Sequence, residues 1–195
     1  MIDFVEGKLI EKTPTYVVIN CGGIGYVMNI SLNTSSKLVE GNLCKLFTEQ
    51  TYVRDDLPRF YGFHDREERL LFRSLISVSG VGGNSAMLML SSLQAEEIQN
   101  AIAQGDVNIL KSVKGIGEKT ALRIIVDLKD KVGKMGVFSE KTAFSDNKIR
   151  NEALSALVML GFVKNAADKA IDKAYKTEGN MVSVEHLIKL ALKHL

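Results

Sequence analysis

The sequence predicts an α+β chain of several small domains: a β-barrel, a helical domain, and a short helical module at the end. Three observations predict it. β-branched and aromatic runs punctuated by glycine fill residues 1–63, helical spacing replaces them at Asp65, and a stretch without period, 133–146, sets residues 147–195 apart.

In the first region, Val17-Val18-Ile19 and Tyr26-Val27-Met28-Asn29-Ile30 read as strands separated by Gly22-Gly23-Ile24-Gly25. Residues 43–53 form a third run, and Phe60-Tyr61-Gly62-Phe63 closes the set. About five short strands with glycine-rich turns suggest a closed barrel, and one of the oligonucleotide-binding (OB) type fits a domain of this length. A small sandwich fits nearly as well. Domain 64–132 opens on the charged turn Asp65-Arg66-Glu67-Glu68-Arg69, then places Leu71, Leu75 and Val78 at helical spacing. Residues 133–146 carry glycine, serine and mixed charge, and read as a flexible linker. Three amphipathic helices are expected at 147–160, 165–176 and 183–194. Leu154, Leu157, Val158 and Gly161 share one face of the first; Leu187, Ile188, Ala191 and Leu195 share one of the last. A module this small is marginally stable by itself.

Composition excludes more than it proposes. No stretch approaches the roughly 20 apolar residues of a membrane-spanning helix. The chain begins Met1-Ile2-Asp3-Phe4-Val5-Glu6, acidic where a signal peptide is basic, so a cytoplasmic location is expected. Cys21 and Cys44 are too few for a disulfide framework, lack metal-ligand spacing, and read as buried small apolar residues. The formal net charge is only +2 over 195 residues. Residues 1–62 hold six Lys/Arg against seven Asp/Glu, 63–133 nine against nine, and 134–195 ten against seven. Bulk charge therefore does not mark a nucleic-acid binder, and any polyanion must be held by local geometry.

An internal repeat supplies that geometry. Gly80-Val81-Gly82 recurs 35 residues on as Gly115-Ile116-Gly117. Leu75 and Val78 match Leu110 and Val113; Ala86, Met89, Leu90 and Leu93 match Ala121, Ile124, Ile125 and Leu128. Each copy reads as helix, glycine-hydrophobic-glycine turn, helix: a tandem helix-hairpin-helix. The first glycine accepts positive φ at no steric cost. Val81 or Ile116 points inward and pins the turn. The second glycine admits a phosphate to the backbone, and the following helix N-terminus offers unpaired N–H groups and a positive dipole end. Such a turn binds phosphate through main-chain donors, needs few basic residues, and carries little sequence specificity.

A tandem pair of this kind, behind a barrel ending in Tyr61-Gly62-Phe63 and before a tethered three-helix module, resembles the RuvA family over essentially the full length. Gly22-Gly23-Ile24-Gly25-Tyr26, Val53-Arg54-Asp55-Asp56, Glu68-Arg69-Leu71-Phe72 and Gly115-Ile116-Gly117 with Lys119-Thr120-Ala121 match in order and spacing. The resemblance implies a non-catalytic DNA-binding scaffold, a homotetramer (with an octamer on DNA as the alternative) holding a four-way Holliday junction open and square. It implies the hexameric ATPase RuvB as motor partner, bound by residues 147–195, the RuvC resolvase as a further partner, and a role in branch migration during recombination and DNA repair. Neither cofactor nor metal nor membrane is implied. The phosphate-binding set is expected to be Gly80, Val81, Gly82, Gly83, Gly115, Ile116, Gly117, Lys119, Thr120 and Arg123. Asp55 and Asp56 match an acidic pin whose carboxylates repel phosphates and limit binding. Leu157, Phe162 and Leu187 are candidates for packing or for partner contact. The chain departs from the family pattern where Pro-Lys commonly follows the first turn and a basic residue the second: here Gly83-Asn84 and Glu118 stand.

Enzyme readings fare poorly. Gly115-Ile116-Gly117-Glu118-Lys119-Thr120 superficially resembles a nucleotide-binding loop, but Glu118 breaks its Gly-Lys-Thr run and no strand precedes it. A helix-hairpin-helix glycosylase needs a base-extruding pocket beside a catalytic Lys or Asp, whereas Asp127 and Lys129 fall on a solvated face. His64, His186 and His194 form no cluster with Cys or Asp. The strongest alternative is a general duplex-binding module.

Overall fold

Alternation of inward apolar and outward polar residues closes the first region on itself. The computed structural model describes residues 2–52, 57–135, 146–178 and 183–195. Strands β1 (Phe4–Lys12), β2 (Tyr16–Cys21), β3 (Ile24–Ile30), β4 (Leu43–Thr51) and β5 (Arg59–Phe63) form a closed barrel in the order β1-β2-β3-β5-β4. β1 pairs with both β2 and β4, so the ring is complete and the sandwich alternative falls. Only β3 and β5 run parallel; the other pairs are antiparallel. Val5, Leu9, Val17, Ile19, Met28, Ile30 and Leu46 fill the interior. β1 escapes a search for β-branched runs because Glu6, Lys8 and Glu11 interrupt it, yet Val5 and Leu9 alternate inward. Cys21 and Cys44 are half-buried rather than buried, because they lie near strand ends where the barrel opens to solvent. Burial and the neighbouring Cys21 push the Cys44 thiol up.

A short helix, α1 (Leu32–Ser36), crosses from β3 to β4, with Ser31 capping its Thr34 amide. Helices α2 (Arg66–Ile76), α3 (Gly83–Ser92), α4 (Ala95–Gln104), α5 (Val107–Lys111) and α6 (Glu118–Met135) follow. α4 joins the two repeat copies; the Glu97 carboxylate accepts the Gln94 N–H at 2.7 Å at its start, and Gly105, at φ 76°, ends it. Tyr61 and Phe63 of β5 belong to the same apolar cluster as Phe72, Leu75, Val81, Met89, Ile124 and Leu128. Residues 1–63 and 64–132, expected as separate domains, keep an apolar cluster each but join where Tyr61 and Phe63 enter the helical one, and the chain divides into two compact units, Met1–Phe138 and Ser139–Leu195. α6 also runs past 132, because buried Val132 keeps its last turns on that core. This shortens the expected linker: 133–135 are helical, 146 begins the next helix, and 136–145 lie outside the described residues.

The second unit holds α7 (Asp146–Met159), α8 (Lys164–Glu178) and α9 (Val184–Ala191), the last continuing as a 3-10 turn over Leu192–His194. Ala153, Leu157, Ala167, Ala170, Ile171, Ala174, Leu187 and Ala191 form its core. Arg150 Nη2 donates to Asp168 Oδ1 at 2.7 Å and Asp172 Oδ1 at 2.8 Å, tying α7 to α8. The buried face of α7 is Ala153–Leu157 (an i, i+4 pair), so Val158, expected inward, is exposed. Leu195 is exposed too, because it lies beyond the last helical turn.

Candidate nucleic-acid interface

The two glycine corners are built alike, bond for bond. In the first, Val78 N–H donates to Leu75 O, Val81 N–H to Val78 O and Ala86 N–H to Gly82 O. In the second, Val113 N–H donates to Leu110 O, Ile116 N–H to Val113 O and Ala121 N–H to Gly117 O. Every partner is displaced by the interval seen in the sequence. Gly80 and Gly115 adopt φ 90° and 88°, a left-handed backbone that penalises any Cβ. Val81 and Ile116 are 5% and 6% exposed and anchor the corners in the common core. Of the repeat positions, Leu93 alone is only half-buried: it is the C-cap of α3, in extended backbone, where Leu128 lies inside α6.

A helix starts directly behind each corner, α3 at Gly83 and α6 at Glu118. Gly82 is the N-cap of α3 (φ −90°, ψ 172°), and no side chain caps that terminus. A Cβ built on Gly82 or Gly117 meets nothing within 4 Å. The glycines are thus not demanded by packing, and the space over both backbones is free. The leading N–H groups of a helix lack intrahelical acceptors and carry the positive end of its dipole, so a corner of this build has the chemistry to receive an anion. Lys114 and Lys119 are exposed beside the second corner, and Thr120 is half-buried there. Lys111 Nζ lies 3.2 Å from Glu118 Oε2, so that cation is already paired.

Two expected site residues stand elsewhere than the sequence suggests. Arg123 follows the second corner in sequence, but its Nη1 donates to Ser79 O at 3.0 Å, beside Gly80 of the first. The side chain of Arg123, on α6, therefore reaches the first corner and brings a cation to a turn whose own residues, 77–85, include no Lys or Arg. Gly83 is a packing position: a Cβ there would overlap the Tyr61 hydroxyl and ring from the barrel. Asp55 and Asp56 lie outside the described residues.

What the sequence reading missed is how this platform is held. Glu68 and Arg69, which end the charged turn that opens α2, are 6% and 7% exposed. Ser31 Oγ and Thr34 Oγ1 both donate to the Glu68 carboxylate, and Thr34 Oγ1 accepts the His64 N–H at 3.1 Å. Arg69 Nη1 donates to Asp3 O (2.8 Å) and Asp3 Oδ1 (2.6 Å), with its guanidinium 5.3 Å from the Phe47 ring centroid. The Arg69 hydrogen bond holds the Asp3 carboxyl below its usual range. Asn33 completes the lock, donating to Leu90 O and Leu93 O at the end of α3. The available signal was spacing: Glu68 stands three and seven residues before Leu71 and Leu75, on the apolar face of α2.

In the second unit, Leu157 and Leu187 are fully buried, which leaves them to packing and withdraws them as contact residues. Phe162 is half-buried beside that core. The apolar surface offered to solvent is instead Val158 (42%), Met159 (88%), Leu160 (63%) and Val163 (72%), around the corner at Gly161 (φ 98°). No helix among the described residues is long and apolar enough to cross a membrane.

Comparison with known proteins covers both units. Residues 1–62 match the RuvA N-terminal domain, 72–130 a SAM-like helix-hairpin-helix tandem, and 148–195 the RuvA C-terminal domain. Proteins named Holliday junction branch migration complex subunit RuvA align over the whole of both chains. Identity is 46% for that of Flavobacterium psychrophilum, 49% for Christiangramia forsetii and 44% for Bacteroides fragilis.

Proposed function

This chain belongs to the RuvA family, and from that premise we propose that it binds four-way DNA junctions as a homotetrameric scaffold. The observation that carries the reading is the pair of open glycine corners, identical in hydrogen bonding and linked by the Arg123 side chain, which runs from the helix behind the second to the first. Two such seats grip phosphates on a duplex arm through main-chain amides, with Lys119, Thr120 and Arg123 supplementing them. A chain of net charge +2 then holds DNA without a broad basic face, and without reading bases. Asp55 and Asp56 act as the acidic pin that keeps strands apart at the crossover.

The protein performs no chemistry on DNA; its work is geometric. The barrel and α2 hold the corners rigidly, so the arms are fixed in an open, square arrangement for branch migration by the RuvB ATPase. The three-helix unit recruits that motor. Its exposed corner, Val158 to Val163, is the contact surface we assign in place of Leu157 and Leu187. RuvC is a further partner on the same junction, and an octamer is the alternative assembly on DNA. Gel-shift titration of a synthetic four-way junction against linear duplex of equal length, at one fixed salt, tests the reading. Preferential binding of the junction supports it, and equal affinity rejects it. Light scattering with and without junction reads the oligomer.

A further inference from the structure

The two corners are copies of one device, yet they differ by one charge at the seat itself. Gly83 at the start of α3 and Glu118 at the start of α6 occupy equivalent places in the repeat. The barrel's Tyr61 leaves no room for a side chain at Gly83. Nothing constrains Glu118 in this way: its side chain is 67% exposed. We propose that Glu118 is a built-in attenuator of the second seat, keeping the hold on each DNA arm weak enough for the duplex to move through. The proposal deepens the junction-scaffold reading and rests on it.

A carboxylate at this place opposes DNA in two ways. It is itself an anion in the first turn of α6, where the amides and dipole otherwise draw a phosphate. It also neutralises Lys111, 3.2 Å away, which with Lys114 and Lys119 would surround the second corner with positive charge. A phosphate entering the seat meets a carboxylate carried by the first turn of α6 and a cation already engaged by it. An anion attached to the protein thus competes with the one on the ligand. A scaffold for moving DNA needs such a limit, because contacts that position a duplex also resist its translation.

The test uses the full chain and a labelled four-way junction, with Kd measured over a salt series for wild type, E118Q, K111Q and E118Q/K111Q. E118Q is expected to tighten binding about three- to tenfold. It should also steepen the salt dependence by about one released counterion per subunit, as Lys111 becomes available. K111Q should change little alone but remove most of the gain in the E118Q background. A carboxylate that served only to stabilise the start of α6 would shift Tm and leave affinity and salt slope unmoved. Wild-type affinity and slope in E118Q, or weaker binding, therefore overturns the proposal. A wild type that binds linear duplex as well as junction, with E118Q still tightening both, sinks the scaffold reading and leaves the attenuator standing. A G117A variant that binds as wild type places DNA elsewhere and overturns both.

Discussion

Alanine at Gly82 and Gly117 separates what the fold needs from what a phosphate needs. Gly82 has an extended backbone that any residue adopts, and a Cβ at either position meets only solvent. Alanine reduces unfolded-state entropy by about 0.4–1 kcal/mol in the protein's favour and is a poorer N-cap by a similar amount. The net change in stability is therefore within about 0.5 kcal/mol, or about 2 °C in Tm. In the proposed binding mode, however, the methyl group stands where a phosphate oxygen comes to reach the amides. Losing one charge-assisted hydrogen bond of about 1.5–3 kcal/mol weakens binding about 10- to 150-fold per variant. G80A and G115A should behave oppositely: at φ 90° and 88° they lose about 1–2 kcal/mol of stability from backbone strain. Fluorescence anisotropy with a labelled junction at fixed salt, beside thermal melts, reads both effects. If G82A and G117A fold normally and bind as wild type, the corners are packing devices and the reasoning fails.

Replacing Glu68 with Ala strands the buried Ser31 and Thr34 hydroxyls, and should lower the stability of the first unit by about 2–4 kcal/mol in urea melts. Leu157→Ala or Leu187→Ala should cost the three-helix unit about 2–5 kcal/mol by leaving a cavity. M159S/L160S/V163S should leave its melting unchanged while abolishing co-purification with RuvB, the partner proposed above; retained binding would move the proposed contact surface elsewhere. Acid also probes the lock. The Arg69 hydrogen bond lowers Asp3; at Asp65, burial raises the carboxyl but Lys37 and His64 outweigh it, leaving it lowered. Groups with depressed native pKa values stabilise above the ordinary carboxyl range near 3.9 and lose that contribution as pH falls through the native values. Tm should therefore drop below about pH 4, and less steeply in D3N, as circular dichroism melts between pH 2 and 7 would show.

The corners were legible in the sequence because everything that makes them is local. A positive-φ glycine, one inward apolar residue and a helix starting immediately after involve fewer than ten consecutive residues, and their repetition at a fixed offset marks them twice. The barrel's existence followed from strand-forming runs for the same reason, although β1 hid behind its outward charges. What only the tertiary structure decided depends on partners far along the chain. Glu68 and Arg69 are only part of a charged turn until hydroxyls at 31 and 34 and the carboxylate at 3 are brought against them. Gly83 looks like part of the seat until Tyr61 covers it, and Arg123 looks attached to the second corner until α6 carries it to the first. Leu157 and Leu187 sit at amphipathic spacing, which tells that a residue is apolar but not whether a core or a partner receives it. Periodicity records the preference of one element for a face; which surface meets that face is settled when distant segments compete for the same interior.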